Sequence, residues 1–188
     1  MLPLSYDVNY VYVIVSPTSP TKGPLPMRGY ASRAGRVDVV ARALTEIRRG
    51  SAILAVLEGP PEPPKTLVYV WQPECVIASE RQAIVEISRA LLSKSSCIRL
   101  VSTGLDTLLY EISRSYENLI LLDEKGDRLD IYPTRAAFFM GSHIDIPPQH
   151  YERISKIARR ASIGPLSYHT EHVVAYLEWA RTSCNGAG

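Results

Sequence analysis

Residues 162 to 172 read SIGPLSYHTEH, a stretch with two histidines three positions apart, His169 and His172, among hydroxyl residues, a glycine and a proline. Histidines at that spacing share a helix face and could bind a metal, with His143 as a third ligand. A catalytic zinc motif usually carries a carboxylate or thiolate in the same stretch, and Glu171 points elsewhere at helical spacing. Hydrogen bonding or packing is therefore the reading adopted for these histidines, and no metal is expected. Gly164 and Pro165 also have a structural explanation. Glycine permits close approach, proline pre-sets φ, and Ser167 can cap a following helix.

A second group with chemical potential is basic. From Lys22 to Arg49 there are seven basic residues, Lys22, Arg28, Arg33, Arg36, Arg42, Arg48 and Arg49, against Asp38 and Glu46. The local balance of +5 leaves −3 for the rest of a chain whose net charge is +2. Concentrated arginine on a near-neutral chain suits a phosphate-binding face, because a polyanion responds to local field. A solvated helix face would use the same residues. No GxGxxG, GxxxxGK[ST] or GxSxG motif is present, so classical dinucleotide, P-loop and hydrolase readings have no support. Cys75, Cys97 and Cys184 are odd in number and share no CxxC spacing, which predicts free thiols without a disulfide framework or zinc site.

The elements that must position these groups alternate. YVYVIV, AILAVL, TLVYV, CIRLV, NLILL and AAFFM read as strands. Val37, Val40, Ala41, Leu44 and Ile47 recur at helical spacing before Gly50. Ser79 and Gln82 form a capping box for a helix with Ile84, Ile87 and Leu91 inward. Ser102 can cap GLDTLLYEISRS, and further helices are predicted near 149–160 and from the SIGPLSYHTEH stretch through Trp179. DEKGDRLD reads as a turn, and SPTSPTKGPLPMRGYASRAG as a long loop. Continuously apolar strands alternating with helices predict an α/β fold, a mainly parallel sheet with helices on both faces. Ligands of such sheets sit beyond the C-terminal strand ends. EGPPEPPK, the turn after NLILL, and GSHIDIPP are the loops expected to converge there.

At 188 residues, 46% hydrophobic and 21% charged, the chain suits one domain spanning 1–188, with residues 183–188 frayed. No apolar run is long enough to span a bilayer. The start MLPLSYDVNY lacks the basic and apolar regions of a secretion signal, so a cytoplasmic location without membrane attachment is expected.

The ordered blocks TSP, SRAGRVDVVARAL, LEGPPEPPKT, FFMGSHIDIP and SIGPLSYHTEHVV, spread from Val13 to Tyr176, resemble the archaeal tRNA (pseudouridine-54 N1)-methyltransferases of the SPOUT class. The resemblance implies a C-terminal deep trefoil knot, a homodimer, and S-adenosyl-L-methionine bent within the knot. It implies cofactor loops at Leu121 and Leu122, at Gly141 and Ser142, and at Ser162, Ile163, Gly164, Pro165, Leu166 and Ser167, with Val173 nearby. Two departures stand out: the family usually has Cys where this chain has Val173, and often has Asp where it has Ser142.

Methylating the N1–H of a pseudouridine in the T-loop requires loss of a proton, which a nearby carboxylate can assist. Asp38 is the candidate, oriented by Arg36; the Arg-x-Asp element is similar to that of related ribosomal-RNA enzymes. Asp38 paired with Arg36 or Arg42 as ordinary helix neighbours is the structural alternative. The RNA face is expected at Arg28, Arg33, Arg36, Arg42 and Arg49, gripping tRNA through phosphates, with the target base flipped out. Alternatives are a ribosomal-RNA substrate, a non-catalytic RNA- or cofactor-binding member, and an unrelated metal enzyme using His169 and His172.

Overall fold

The computed structural model describes residues 7–185. Residues 1–6, most of the stretch read for a leader, and 186–188, the end of the expected frayed tail, lie outside the described residues; Ser183 belongs to the last helix.

The chain order is β1 (Tyr10–Ser16), α1 (Tyr30–Arg33), α2 (Val37–Glu46), β2 (Ser51–Leu57), β3 (Lys65–Val70), a 3-10 turn (Pro73–Cys75), α3 (Glu80–Ala90), β4 (Ile98–Val101), α4 (Leu105–Ser115), β5 (Leu119–Arg128), β6 (Ala136–Gly141), α5 (Pro148–Ser155), β7 (Arg159–Ser162) and α6 (Thr170–Asn185). Seven strands form one sheet in the order β4-β3-β2-β1-β6-β5-β7. The β1/β2, β1/β6, β5/β6 and β5/β7 pairs are parallel, whereas β2/β3 and β3/β4 are antiparallel. Apolar strand composition reports burial on both faces and leaves direction open, so the antiparallel edge did not show in it.

Helices cover both faces. Tyr10, Tyr12 and Ile14 of β1 join one core cluster with α2, α3 and α6, while Val11, Val13 and Val15 join a second with α4 and α5. Tyr12 and Phe138 stack across β1/β6 with ring centroids 5.7 Å apart. Glu178 of α6 is buried in the first layer and fully engaged: it accepts from Tyr12 Oη (2.7 Å), Ser51 Oγ (2.5 Å), the Arg48 amide (3.2 Å) and Arg181 Nη2 (2.8 Å). A buried carboxylate with that many donors fixes α6 across β1 and β2.

Several local expectations change. DEKGDR, the first part of DEKGDRLD, continues β5 in place of a turn, with a register break between Leu122 and Asp127. Ala161 of β7 pairs with both residues, so the intervening segment swings out and returns to the same strand. Gly126 makes that possible, since a Cβ there would lie 2.6 Å from the Ala161 amide nitrogen. The helix expected near 149–160 stops at Ser155, and Arg159–Ser162 pairs as β7. Gly104, not Ser102, stands at the α4 N-cap, and α6 begins at Thr170 beyond Ser167. Ser79 does cap α3, accepting from the Gln82 amide at 3.2 Å. The long loop after β1 holds one short helical turn, α1.

The cysteines are a further correction: Cys75 and Cys97 form a disulfide, their Cα atoms 5.3 Å apart. Antiparallel pairing sets Tyr69 opposite Ile98, which brings the exit of β3 beside the entry of β4. Linear spacing carries no trace of that proximity. No helix among the described residues is long and apolar enough to cross a membrane.

Candidate active site at the ends of the parallel strands

The C-terminal ends of β1, β2 and β6 lie side by side. Ser142 donates its amide to the Val15 carbonyl (3.0 Å), Gly59 donates to Ser19 (2.9 Å), and the Ser16 and Ser19 hydroxyls are 2.7 Å apart. The three loops expected to converge all reach α5 or its approach. His150 Nε2 and Glu58 Oε1 are 2.6 Å apart, Asp123 accepts from the Tyr151 hydroxyl, and GSHIDIPP leads into α5 directly.

The segment before α2 closes over this end. Gly35 has φ +56°, and a Cβ there would lie 1.7 Å from the Thr18 carbonyl oxygen, so no other residue fits. Thr18 Oγ1 donates to the Gly35 carbonyl at 2.7 Å. Arg36 follows with φ 60°, a left-handed conformation costing a non-glycine residue roughly 1–3 kcal/mol. That backbone turns its guanidinium onto Asp38: Nε to Oδ1 at 3.0 Å and Nη2 to Oδ2 at 3.2 Å. Arg42 Nη1 adds a third contact to Oδ2 at 2.8 Å. Asp38 is 2% exposed. Burial pushes its carboxyl up, but the hydrogen bonds and charges of the two guanidinium groups outweigh it and hold it below the ordinary carboxylate range.

Arg42 also reaches Glu171 at the start of α6, Nε to Oε1 at 2.9 Å. Its Nε and Nη1 thus bind two carboxylates, joining α2 to α6. Arg28 and Arg33 are exposed and make no ion pair among the described residues, and Arg36 is partly exposed at their side. Arg49 lies apart: it precedes β2, at the opposite end of the sheet, a strand length of about 20 Å away.

His143 stands between these groups and β6. Its Nε2 is 3.4 Å from Thr18 Oγ1 and its Nδ1 is 3.2 Å from Ser142 Oγ. Burial, and then the charge of Arg36, lower its pKa from the usual histidine value, against the opposing pull of Asp38.

The β7–α6 loop completes the region. Ser162 Oγ donates to the Gly164 carbonyl (2.5 Å) and accepts from its amide (3.2 Å), which pins the turn. Ile163, Tyr168, His172 and Tyr176 line a cavity of about 350 Å³. A Cβ on Gly164 would meet the Tyr168 hydroxyl at 2.6 Å, so glycine lets that ring close over the loop. Pro165, Leu166 and Ser167 are exposed. Leu121 is fully buried in β5, so only its backbone could face a ligand; Leu122 is partly buried and Val173 packs into the core. The His169 and His172 rings meet edge to face at 5.6 Å. No group of three or more metal-binding side chains occurs among the described residues.

Thr170, which sequence reading passed over, joins the loop after β6 to the start of α6: its hydroxyl lies 2.8 Å from the Gly141 carbonyl and 2.7 Å from that of Ser142. Its position at a helix start was visible, but its partners 28 and 29 residues away were not.

Comparison with known proteins agrees with this arrangement. Residues 10–181 match the family model described as "Putative SAM-dependent RNA methyltransferase". The tRNA (pseudouridine(54)-N(1))-methyltransferase of Aeropyrum pernix is 39% identical over 172 residues, covering 87% of this chain and 89% of that protein. Its counterpart from Pyrococcus abyssi is 24% identical, covering 89% and 94%. Among solved structures, Archaeoglobus fulgidus Nep1 bound to S-adenosylhomocysteine aligns with a TM-score of 0.65 at 13% identity, covering 95% of this chain and 99% of that one. The SpoU methyltransferase AviRb of Streptomyces viridochromogenes aligns at 0.54 and 12% identity, covering 98% and 63%. A family match over nearly the whole chain, on a sheet whose strand ends carry the arginine–aspartate cluster and both loops, establishes that this chain belongs to the S-adenosylmethionine-dependent RNA methyltransferase family.

Proposed function

We propose that this chain methylates N1 of pseudouridine 54 in the T-loop of tRNA. The observation that carries the reading is the 39% identity to the A. pernix enzyme over most of both chains, and the family match over residues 10–181 spans the site described above. S-adenosyl-L-methionine would supply an electrophilic methyl group, and the chain's own part is then to hold, orient and deprotonate. The loop at Gly141 and Ser142, the backbone of Leu121 and Leu122, and Ser162 to Ser167 suit a nucleoside-like ligand. They combine backbone polar groups with the apolar cavity beside Ile163 and Tyr168.

Exposed Arg28 and Arg33, with Arg36 at their side, form the RNA-gripping edge in this reading, while Arg42 builds the site by bridging Asp38 and Glu171. A C-terminal trefoil knot in this reading is supported by the likeness of the fold to Nep1 over 95% of this chain. A homodimer is supported by exposed aromatic side chains: Trp179 (62% exposed) and Tyr168 (44%) both lie beside Tyr176. A cytoplasmic location fits an enzyme acting on tRNA.

The decisive experiment is transfer of labelled methyl groups from S-adenosylmethionine to matched T-loop RNAs carrying uridine or pseudouridine at the target position. Labelling of the pseudouridine RNA alone is expected. Labelling of neither, or of both equally, would overturn the assignment.

A further inference from the structure

Asp38 has little capacity to accept a proton. Its two oxygens receive three guanidinium N–H groups and it is buried. A general base needs a free lone pair within reach of substrate on a group unprotonated at working pH. Resting on the pseudouridine reading above, we propose that His143 is the catalytic residue that takes the N1 proton, on its Nδ1 atom, with Thr18 setting its tautomer.

The hydrogen-bond chain around the ring argues for that atom. Thr18 Oγ1 gives its proton to the Gly35 carbonyl at 2.7 Å, so towards His143 it can only accept. Nε2, at 3.4 Å, therefore carries the ring hydrogen. Nδ1 is left with a lone pair and accepts from Ser142 Oγ at 3.2 Å. A serine at 142 can yield that contact to an incoming N–H by rotating its hydroxyl. The backbone beneath is fixed, because Thr170 holds the Gly141 and Ser142 carbonyls and the Ser142 amide is bound to β1. The charged groups acting on the ring are Arg36, at the N-cap of α2, and Asp38 within it; burial and Arg36 favour the neutral imidazole that a base requires.

The step balances within these groups. N1 gains the methyl carbon as that carbon's bond to sulfur breaks, and the N1 proton passes to Nδ1. The positive charge formerly on the sulfonium then resides on the imidazolium, where the charge of the Asp38 carboxylate favours it, until solvent removes the proton.

The test compares the full-length protein with His143→Gln and Thr18→Val. In ligand-free protein at pH 7, imidazole 15N shifts should show Nε2 protonated and Nδ1 bare. With pseudouridine RNA, the wild-type rate should fall at acidic pH with a midpoint below that of an ordinary histidine. His143→Gln should lose about 100-fold or more in kcat and lose that acid limb, while S-adenosylhomocysteine binding measured by calorimetry stays within about twofold. Thr18→Val should restore mixed tautomers and slow the reaction by a smaller factor. A wild-type rate and acid limb in His143→Gln, or a protonated Nδ1 at neutral pH, overturns the role of His143. A wild-type protein inactive on pseudouridine RNA overturns the functional reading itself. If His143→Gln cannot bind the cofactor, Thr18→Val and the tautomer measurement decide.

Discussion

Arg36 and Arg42 close on Asp38 from two turns of chain, one through a strained left-handed backbone and one through regular helical spacing. The carboxylate is thus the joint at which α2, the loop before it and α6 are assembled, because Arg42 passes the connection on to Glu171. Asp38→Asn should cost about 2 kcal/mol, the worth of a hydrogen bond to a charged group with some loss of pairing for the arginines. It should lower activity through misplacement of the guanidinium groups, and urea unfolding together with methyl transfer would measure both effects. Since the folded carboxyl titrates below its unfolded value, near 3.9, its contribution is complete above that value. It disappears as pH falls through the lower folded one. The stability difference between wild type and Asp38→Asn should accordingly shrink on acidification; a difference unchanged down to pH 2 would contradict the pairing. The Arg36–Asp38 pair was legible in the sequence as neighbours two apart. Its union with Glu171, and the tautomer-setting chain from Gly35 through Thr18 to His143, spans loops brought together only by the sheet.

Among the elements, the disulfide offers a direct check on the sheet's antiparallel edge. It closes a loop of 22 residues around α3, so Cys97→Ser should destabilise the protein by about 3 kcal/mol in the chain-entropy picture. Equal urea midpoints for wild type under oxidising conditions and Cys97→Ser would show that the bond is absent in solution. The helices with strong apolar periodicity, α2, α3 and α4, lie close to where spacing predicts them. β7 was missed because RRAS is short and half exposed; only pairing with β5 makes it a strand. DEKGDR has turn composition and was misread for a related reason. It takes its extended form from pairing with β7 on both sides of a bulge, a tertiary demand that outweighs local preference.

For the molecule as a whole, Trp179 and the neighbouring Tyr176 leave aromatic surface in water, which the proposed homodimer would cover. Trp179→Glu should convert the proposed dimer to a monomer in sedimentation or light scattering while leaving the cooperative melt of each subunit close to wild type. A wild-type monomer at micromolar concentration would remove the basis for that assembly. The sheet's connectivity has a separate consequence, for synthesis. β1 is made first and occupies the middle of the sheet, yet Tyr10 pairs with Ala136 on one side, 126 positions later. At about 5–20 residues per second, the ribosome leaves that flank of β1 without its partner for roughly 6–25 s. During this interval a bare strand of Tyr, Val and Ile is open to wrong neighbours. The nascent chain should therefore depend on holding chaperones far more than the finished protein does.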